Sequence, residues 1–226
     1  MTDLSGRSVL VVGATGGLGA PLSRGLAAAG ARLTLAGRSM PRLQALGLDG
    51  AHLVTADLQH PTAANDLVQA ALAAHGALDG VVYAAGVVAF GGVGDLDDDV
   101  VDELLLINYL APARLARAAL PHLSAGGFVV NLSAVVAEQA VPNMGAYSAS
   151  KAALTAFDAV LRMEARRSKV RVIDARPPHT ETGLAGRPIA GTAPRLPKGL
   201  SPDDVAARIL RAVTGDETDL PSSAFA

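Results

Sequence analysis

Six short, mostly apolar runs, each followed by a stretch of helical periodicity, divide the chain between Ser8 and Thr182. They are Ser8–Val12, Arg32–Ala36, Ala51–Ala56, Gly80–Gly86, Gly127–Leu132 and Lys169–Ala175. Runs this short and this apolar suit strands covered on both faces rather than amphipathic helices. Strands that alternate with helices pair in parallel, because the helix supplies the crossover a parallel pair needs. The expected fold is α/β: a single doubly wound parallel sheet with helices on both faces, in one domain over residues 1–226. Helices are expected over about Leu18–Ala29, Pro61–His75, Asp99–Leu120 and Gly145–Arg166. A last helix opens with Ser201 as cap and Pro202 at its first position. The tail beyond Gly215 has room for a small edge strand at most.

A sheet of this kind takes its ligand beyond the carboxyl ends of its strands. The first such end carries Gly13-Ala14-Thr15-Gly16-Gly17-Leu18-Gly19, which leads straight into a helix. Glycines let the backbone turn tightly and approach a pyrophosphate, which sits at the positive end of the helix. Strand, glycine loop and helix in this order form a dinucleotide site and make the fold Rossmann-like. The spacing fits both Gly-x-x-Gly-x-x-Gly and Gly-x-x-x-Gly-x-Gly. A free ribose hydroxyl is usually held by an acid about 20 residues past the loop. Here no acid occurs between the loop and Asp49, and Gly37-Arg38-Ser39 closes the second strand. A guanidinium there suits a ribose phosphate, which favours NADP(H) over NAD(H); the plainer reading is a solvated arginine. Asp57, at the end of the third strand, has two open readings, an adenine contact or a turn acid.

Tyr147 and Lys151 stand four residues apart in an alanine-rich stretch that favours helix, so they share one face. A free tyrosine, with a pKa of about 10, is a poor acid or base at neutral pH, and a nearby ammonium lowers that value. Asn108 lies among Leu104, Leu105, Leu106, Ile107 and Leu110, where an amide must find partners. Asp97-Asp98-Asp99 precedes the same helix and reads as capping and dipole matching, not as a metal site. The five histidines are scattered without metal spacing, there is no cysteine, and no Gly-x-Ser-x-Gly elbow exists. A net charge of −2 with no basic block argues against nucleic acid. The longest uncharged run, Gly80–Gly94, is too short for a bilayer, and Met1–Arg7 lacks a signal-peptide pattern, so a soluble cytoplasmic protein without membrane partners is expected.

With these residues in this order, the chain resembles the short-chain dehydrogenase/reductase family over about Arg7–Thr182. The resemblance implies a cofactor site built from Gly13, Thr15, Gly17, Leu18, Gly19, Arg38, Asp57, Leu58, Ala85, Gly86, Asn108, Tyr147, Lys151, Pro177 and Thr182. It implies hydride transfer between nicotinamide and a carbonyl or alcohol, with Tyr147 as acid or base. Lys151 would lower the pKa of Tyr147 and hold the ribose, and Asn108 would order water between Lys151 and solvent. The resemblance also implies a homodimer or homotetramer formed through the helices at Asp99–Leu120 and Gly145–Arg166, which are richer in apolar residues than one sheet contact needs.

Several positions depart from the family pattern: Val12 before the first glycine, Tyr83-Ala84 where two asparagines are usual, and Pro178 in place of glycine. Above all, Ala134 stands where the catalytic serine belongs. Ser133 is adjacent, but neighbouring strand residues face opposite ways, so it can serve only if the strand bulges or ends there. Substrate specificity is expected in Val87–Asp95, Val135–Met144 and a loop at 183–200. Two functional readings follow: an NADP(H)-dependent oxidoreductase, or a dinucleotide-binding sensor or regulatory protein with weak or no turnover.

Overall fold

A computed structural model describes residues 2–225. Its single sheet is Rossmann-like, with seven parallel strands in the order β3-β2-β1-β4-β5-β6-β7. The strands are β1 (Ser8–Val12), β2 (Arg32–Gly37), β3 (His52–Thr55), β4 (Leu78–Tyr83), β5 (Leu123–Leu132), β6 (Arg171–Ala175) and β7 (Asp219–Leu220). The order reverses between β1 and β4, which opens the crevice at their carboxyl ends. The helices are α1 (Gly19–Ala28), α2 (Met40–Gln44), α3 (Ala63–His75), α4 (Asp98–Leu105), α5 (Ala111–Ala119), α6 (Gly145–Ala165) and α7 (Pro202–Thr214). No helix among the described residues is long and apolar enough to cross a membrane.

Period-two alternation sends each strand's side chains into two separate cores. Val9 and Val11 of β1 join Leu22 and Leu26 of α1 and Ile209 of α7 on one face. Leu10 joins Leu67 of α3, Leu115 of α5 and Leu161 of α6 on the other. A third apolar cluster lies beyond the strand ends, where Val88, Phe90, Leu104, Val136 and Met144 surround Tyr147.

The long helix expected over Asp99–Leu120 is interrupted. Between α4 and α5 the segment Leu106–Leu110 is π-helical. Pro112 supplies a reason, because it has no N–H for the carbonyl four residues back, and that carbonyl belongs to Asn108. A second contact holds the irregularity from the sheet side: the buried Tyr83 hydroxyl donates to the Ile107 carbonyl at 2.6 Å. The unusual tyrosine at the end of β4 thus serves the backbone of the neighbouring helix. Asp97 and Ser201 occupy the expected N-cap positions, but neither side chain makes a capping bond. Asp98 and Asp99 lie in the first turn of α4, where the helix dipole favours them. The chain's tail does add an edge strand, β7, beside β6.

Tyr83→Phe keeps the ring and leaves the Ile107 carbonyl buried without its donor. The expected cost is about 1–3 kcal/mol of stability in urea unfolding; unchanged stability would mean that the π-segment does not depend on this bond.

Candidate active site

The glycine loop is shaped to be approached closely. Gly13 has φ +80°, and a Cβ there would lie 2.5 Å from the Ala85 amide nitrogen, so β1 and the exit of β4 meet with no room for a side chain. Gly17 packs directly against Thr182 of the loop after β6. The crevice is lined by Gly13, Thr15, Gly17 and Leu18 of this loop, and by Arg38, Asp57 and Leu58 beyond β2 and β3. Ala85, Gly86, Tyr147, Lys151 and Thr182 complete the wall on the other side. The residues present fit a dinucleotide: a glycine-rich backbone cradle at the start of α1, and cationic groups beyond β2.

Three expected cofactor residues stand behind the wall instead of on it. Gly19 packs on the Gly13 carbonyl and closes α1 onto the loop. The carbonyl of Pro177 is taken by the Val135 N–H at 3.1 Å. Asn108 is fully buried: its Oδ1 accepts from Val87 N–H at 3.1 Å, while its Nδ2 donates to the Val87 carbonyl at 2.9 Å and to Ser150 Oγ at 3.1 Å. Ser150 Oγ in turn donates to the Tyr147 carbonyl at 2.7 Å. The amide therefore ties the exit of β4 to the first turn of α6. Asp57 satisfies the turn reading, its Oδ1 accepting from Gln59 N–H at 3.0 Å, while the residue still faces the crevice.

Lys151 is 4 % exposed, and its Nζ donates to the Leu132 carbonyl at the end of β5, at 2.8 Å. Burial pushes its ammonium down to about 8, against the opposing pull of Asp174 and Asp158. The phenol of Tyr147 does not follow the expectation of a lowered value. Burial within the apolar cluster pushes it up to about 12, so it holds its proton at neutral pH. Ala134 does not line the crevice, but its neighbour Ser133 does. Its Oγ donates to the Lys151 carbonyl at 2.9 Å and accepts from Thr155 Oγ1 at 3.0 Å, which docks α6 on β5.

Below these contacts lies a buried acidic pair. Asn131 and Asp174 are partners in the β5–β6 register, and Asn131 Nδ2 donates to Asp158 Oδ1 at 2.6 Å. Arg176 meets Asp174, Glu138 and Asp219, joining the sheet to the turn after β5 and to the tail. Burial drives the Asp158 carboxyl well above its usual range.

Sequence reasoning did not single out Arg42, Arg187 or Glu103, which also line the crevice. Arg42 was within reach of it, four residues beyond Arg38 in the short helix α2 that follows β2. Arg187 and Glu103 have no local signal, because distant parts of the chain bring them to the site.

A family model for the short chain dehydrogenases matches residues 7–190. The chain belongs to the short-chain dehydrogenase/reductase family. A dehydrogenase/reductase SDR family protein 7-like from Anopheles gambiae is 33% identical over 237 residues, covering 96% of this chain and 75% of that protein. An uncharacterised oxidoreductase of Methylorubrum extorquens is 32% identical, covering 91% of this chain and 90% of its own. The crystal structure of a short chain dehydrogenase from Burkholderia cenocepacia in complex with NADP superposes with a TM-score of 0.87 at 28% identity, covering 100% of both chains. Within this family of oxidoreductases the present chain keeps the tyrosine and the lysine and carries alanine at position 134.

The sequence contains three lysines, at 151, 169 and 198. With lysine carbon-13 labelled for NMR, one of the three signals is expected to titrate near pH 8 and to vanish in Lys151→Met. Absence of any lysine transition near pH 8 would contradict the burial of this ammonium.

Proposed function

We propose that this protein is an NADP(H)-dependent oxidoreductase acting on a carbonyl/alcohol pair, with Tyr147 as the acid/base. One observation carries the reading: Tyr147 and Lys151, a buried phenol and ammonium, line the same crevice as the bare glycine loop. Arg38 and Arg42 beside that loop, with no acid at the end of β2, support NADP(H) over NAD(H). The Burkholderia cenocepacia relative with NADP bound is consistent with the same preference.

NADPH, when bound, supplies a hydride to the carbonyl carbon. Tyr147 gives its phenolic proton to the carbonyl oxygen, so the C=O bond becomes C–H and O–H. A phenol that stays protonated at neutral pH favours the direction of reduction. Lys151, on the same crevice wall, would offset the charge of the phenolate that remains and would hold the cofactor ribose. Asn108 acts as a support: its amide is fully engaged with Val87 and Ser150, so any water that reprotonates Lys151 falls to its main-chain carbonyl, which Pro112 cannot reach with an N–H.

The apolar residues around Tyr147, with Leu184 and Ile189 from the 183–200 loop, suit an uncharged substrate. We place the protein in the cytoplasm as one catalytic domain. It assembles as a homodimer or homotetramer, for which Val160 and Met163, 54% and 68% exposed on α6, supply apolar surface.

A second reading has its own observation. Ala134 offers no hydroxyl, and the Ser133 hydroxyl, though on the crevice wall, donates to the Lys151 carbonyl, so a substrate oxygen would meet one donor fewer than the family pattern provides. A dinucleotide-binding sensor with weak turnover fits that loss.

Three measurements separate the readings. Tyr147→Phe is expected to lower kcat by about 10²–10⁴ in NADPH-coupled reduction of a carbonyl panel, with NADPH affinity retained. In the wild type, kcat/KM for reduction stays level below pH 8 and falls as Lys151 loses its proton above about 8. Equal rates for wild type and Tyr147→Phe would remove the phenol from the mechanism. Ala134→Ser, which restores the missing donor, is expected to raise kcat by about 10-fold or more. Tight NADPH binding without turnover in both proteins would favour the sensor.

A further inference from the structure

The loop that follows β6 is a strap fastened across the crevice. Thr182 packs on Gly17 at its start. Farther along, Ile189 N–H donates to the Val88 carbonyl at 2.8 Å and Phe90 N–H to the Ala190 carbonyl at 3.0 Å. Gly191, at φ +73°, then lies so close to the Phe90 carbonyl that no side chain fits there. The strap returns where Leu200 N–H donates to the His179 carbonyl at 2.8 Å.

Arg187 sits between the first two fastenings. Its Nε donates to the Gly183 carbonyl at 3.1 Å, which fixes the stem of the side chain. No acid pairs with it among the described residues. It lines the main crevice, and also a second cavity bounded by Thr15, Gly16, Gly17, Arg24, Arg42, Thr182 and Asp203. The other guanidinium groups of that cavity are partly engaged: Arg24 lies 3.6 Å from Asp203, and Arg42 Nη2 donates to the Thr15 carbonyl at 3.2 Å. Arg187 alone among them keeps both Nη atoms uncommitted, opposite the backbone of Gly16 and Gly17.

We propose that Arg187 is a pyrophosphate ligand of the dinucleotide, closing on it from the strap while the glycine loop holds it from below. This rests on the dinucleotide reading given above. A planar guanidinium with two outward N–H edges matches a pair of phosphate oxygens. The position assigns it to the pyrophosphate and not to the ribose phosphate. Arg187 shares the second cavity with Gly16, Gly17 and Thr182, whereas Arg38, beyond β2, lines the main crevice and not that cavity. The strap also carries Leu184 and Ile189 into the apolar cluster around Tyr147, so the cofactor and the substrate wall are held by one segment.

The test is the dissociation constant of NADPH and of NADH, by calorimetry or nucleotide fluorescence, for wild type, Arg187→Ala, Arg187→Lys and Arg38→Ala. Arg187 is exposed, and unchanged circular dichroism checks that each variant folds. Arg187→Ala is expected to weaken NADPH and NADH alike, by about 10- to 100-fold, with partial recovery in Arg187→Lys. Arg38→Ala is expected to weaken NADPH alone. Unchanged affinities in Arg187→Ala, or a loss confined to NADPH, would overturn the assignment. Wild-type protein that binds neither nucleotide would instead overturn the dinucleotide reading itself, and the assignment with it.

Discussion

A lysine ammonium buried at the end of β5 is the constraint around which the crevice is arranged. Removing such a charge from water costs several kcal/mol, which must be offset where the group lies. Lys151 meets the Leu132 carbonyl directly and feels the carboxyl groups of Asp158 and Asp174 deeper in the protein. The same stretch of α6 is docked by Ser133 on the Lys151 carbonyl and by Thr155 on Ser133. These contacts set the height of α6 above the sheet. Tyr147, one turn earlier, inherits that position. Its phenol is therefore placed by polar contacts it does not itself make.

The opposite wall is held by an irregular helix. The amide of Asn108 joins the exit of β4 to α6 only because the chain from Leu106 to Leu110 is wound as a π-helix. Two residues underlie that winding, Pro112 by withholding a donor and Tyr83 by supplying one to Ile107. Irregular turns of this kind recur at functional sites because they free or redirect backbone groups. The rest of the pocket is apolar. Ala134 carries no hydroxyl and the Ser133 hydroxyl donates to the Lys151 carbonyl, so in the proposed reaction the acid–base work would rest on a single phenol.

The parts that were legible in the sequence depend on local order. The glycine loop, the Tyr147–Lys151 spacing and the alternation of apolar runs with helices each fit within about 20 residues, and their physical meaning does not depend on distant neighbours. The alternation rule does not decide Ser133, because β5 ends at Leu132 and Ser133 lines the crevice. The interruption at Asn108 was readable in principle from Pro112, four residues on, but the run of leucines around it masks the signal. What could not be read is set by tertiary packing. The rise of the Tyr147 phenol depends on Val136, Met144 and Leu104, brought from separate segments. Gly19 and Pro177 hold motif positions, yet packing and a backbone bond place them behind the wall. Arg187 lies in a loop without periodicity, and contacts with distant segments, among them the bridge from Ala190 back to Ala89, hold that loop beside the glycine loop.

The most direct test of this account is a crystal structure of the protein with NADP bound. The account predicts that the Tyr147 phenolic oxygen and Lys151 Nζ both face the nicotinamide riboside, with the ribose phosphate beside Arg38. A nicotinamide ring bound elsewhere, or a Tyr147 side chain directed away from it, would contradict the central claim.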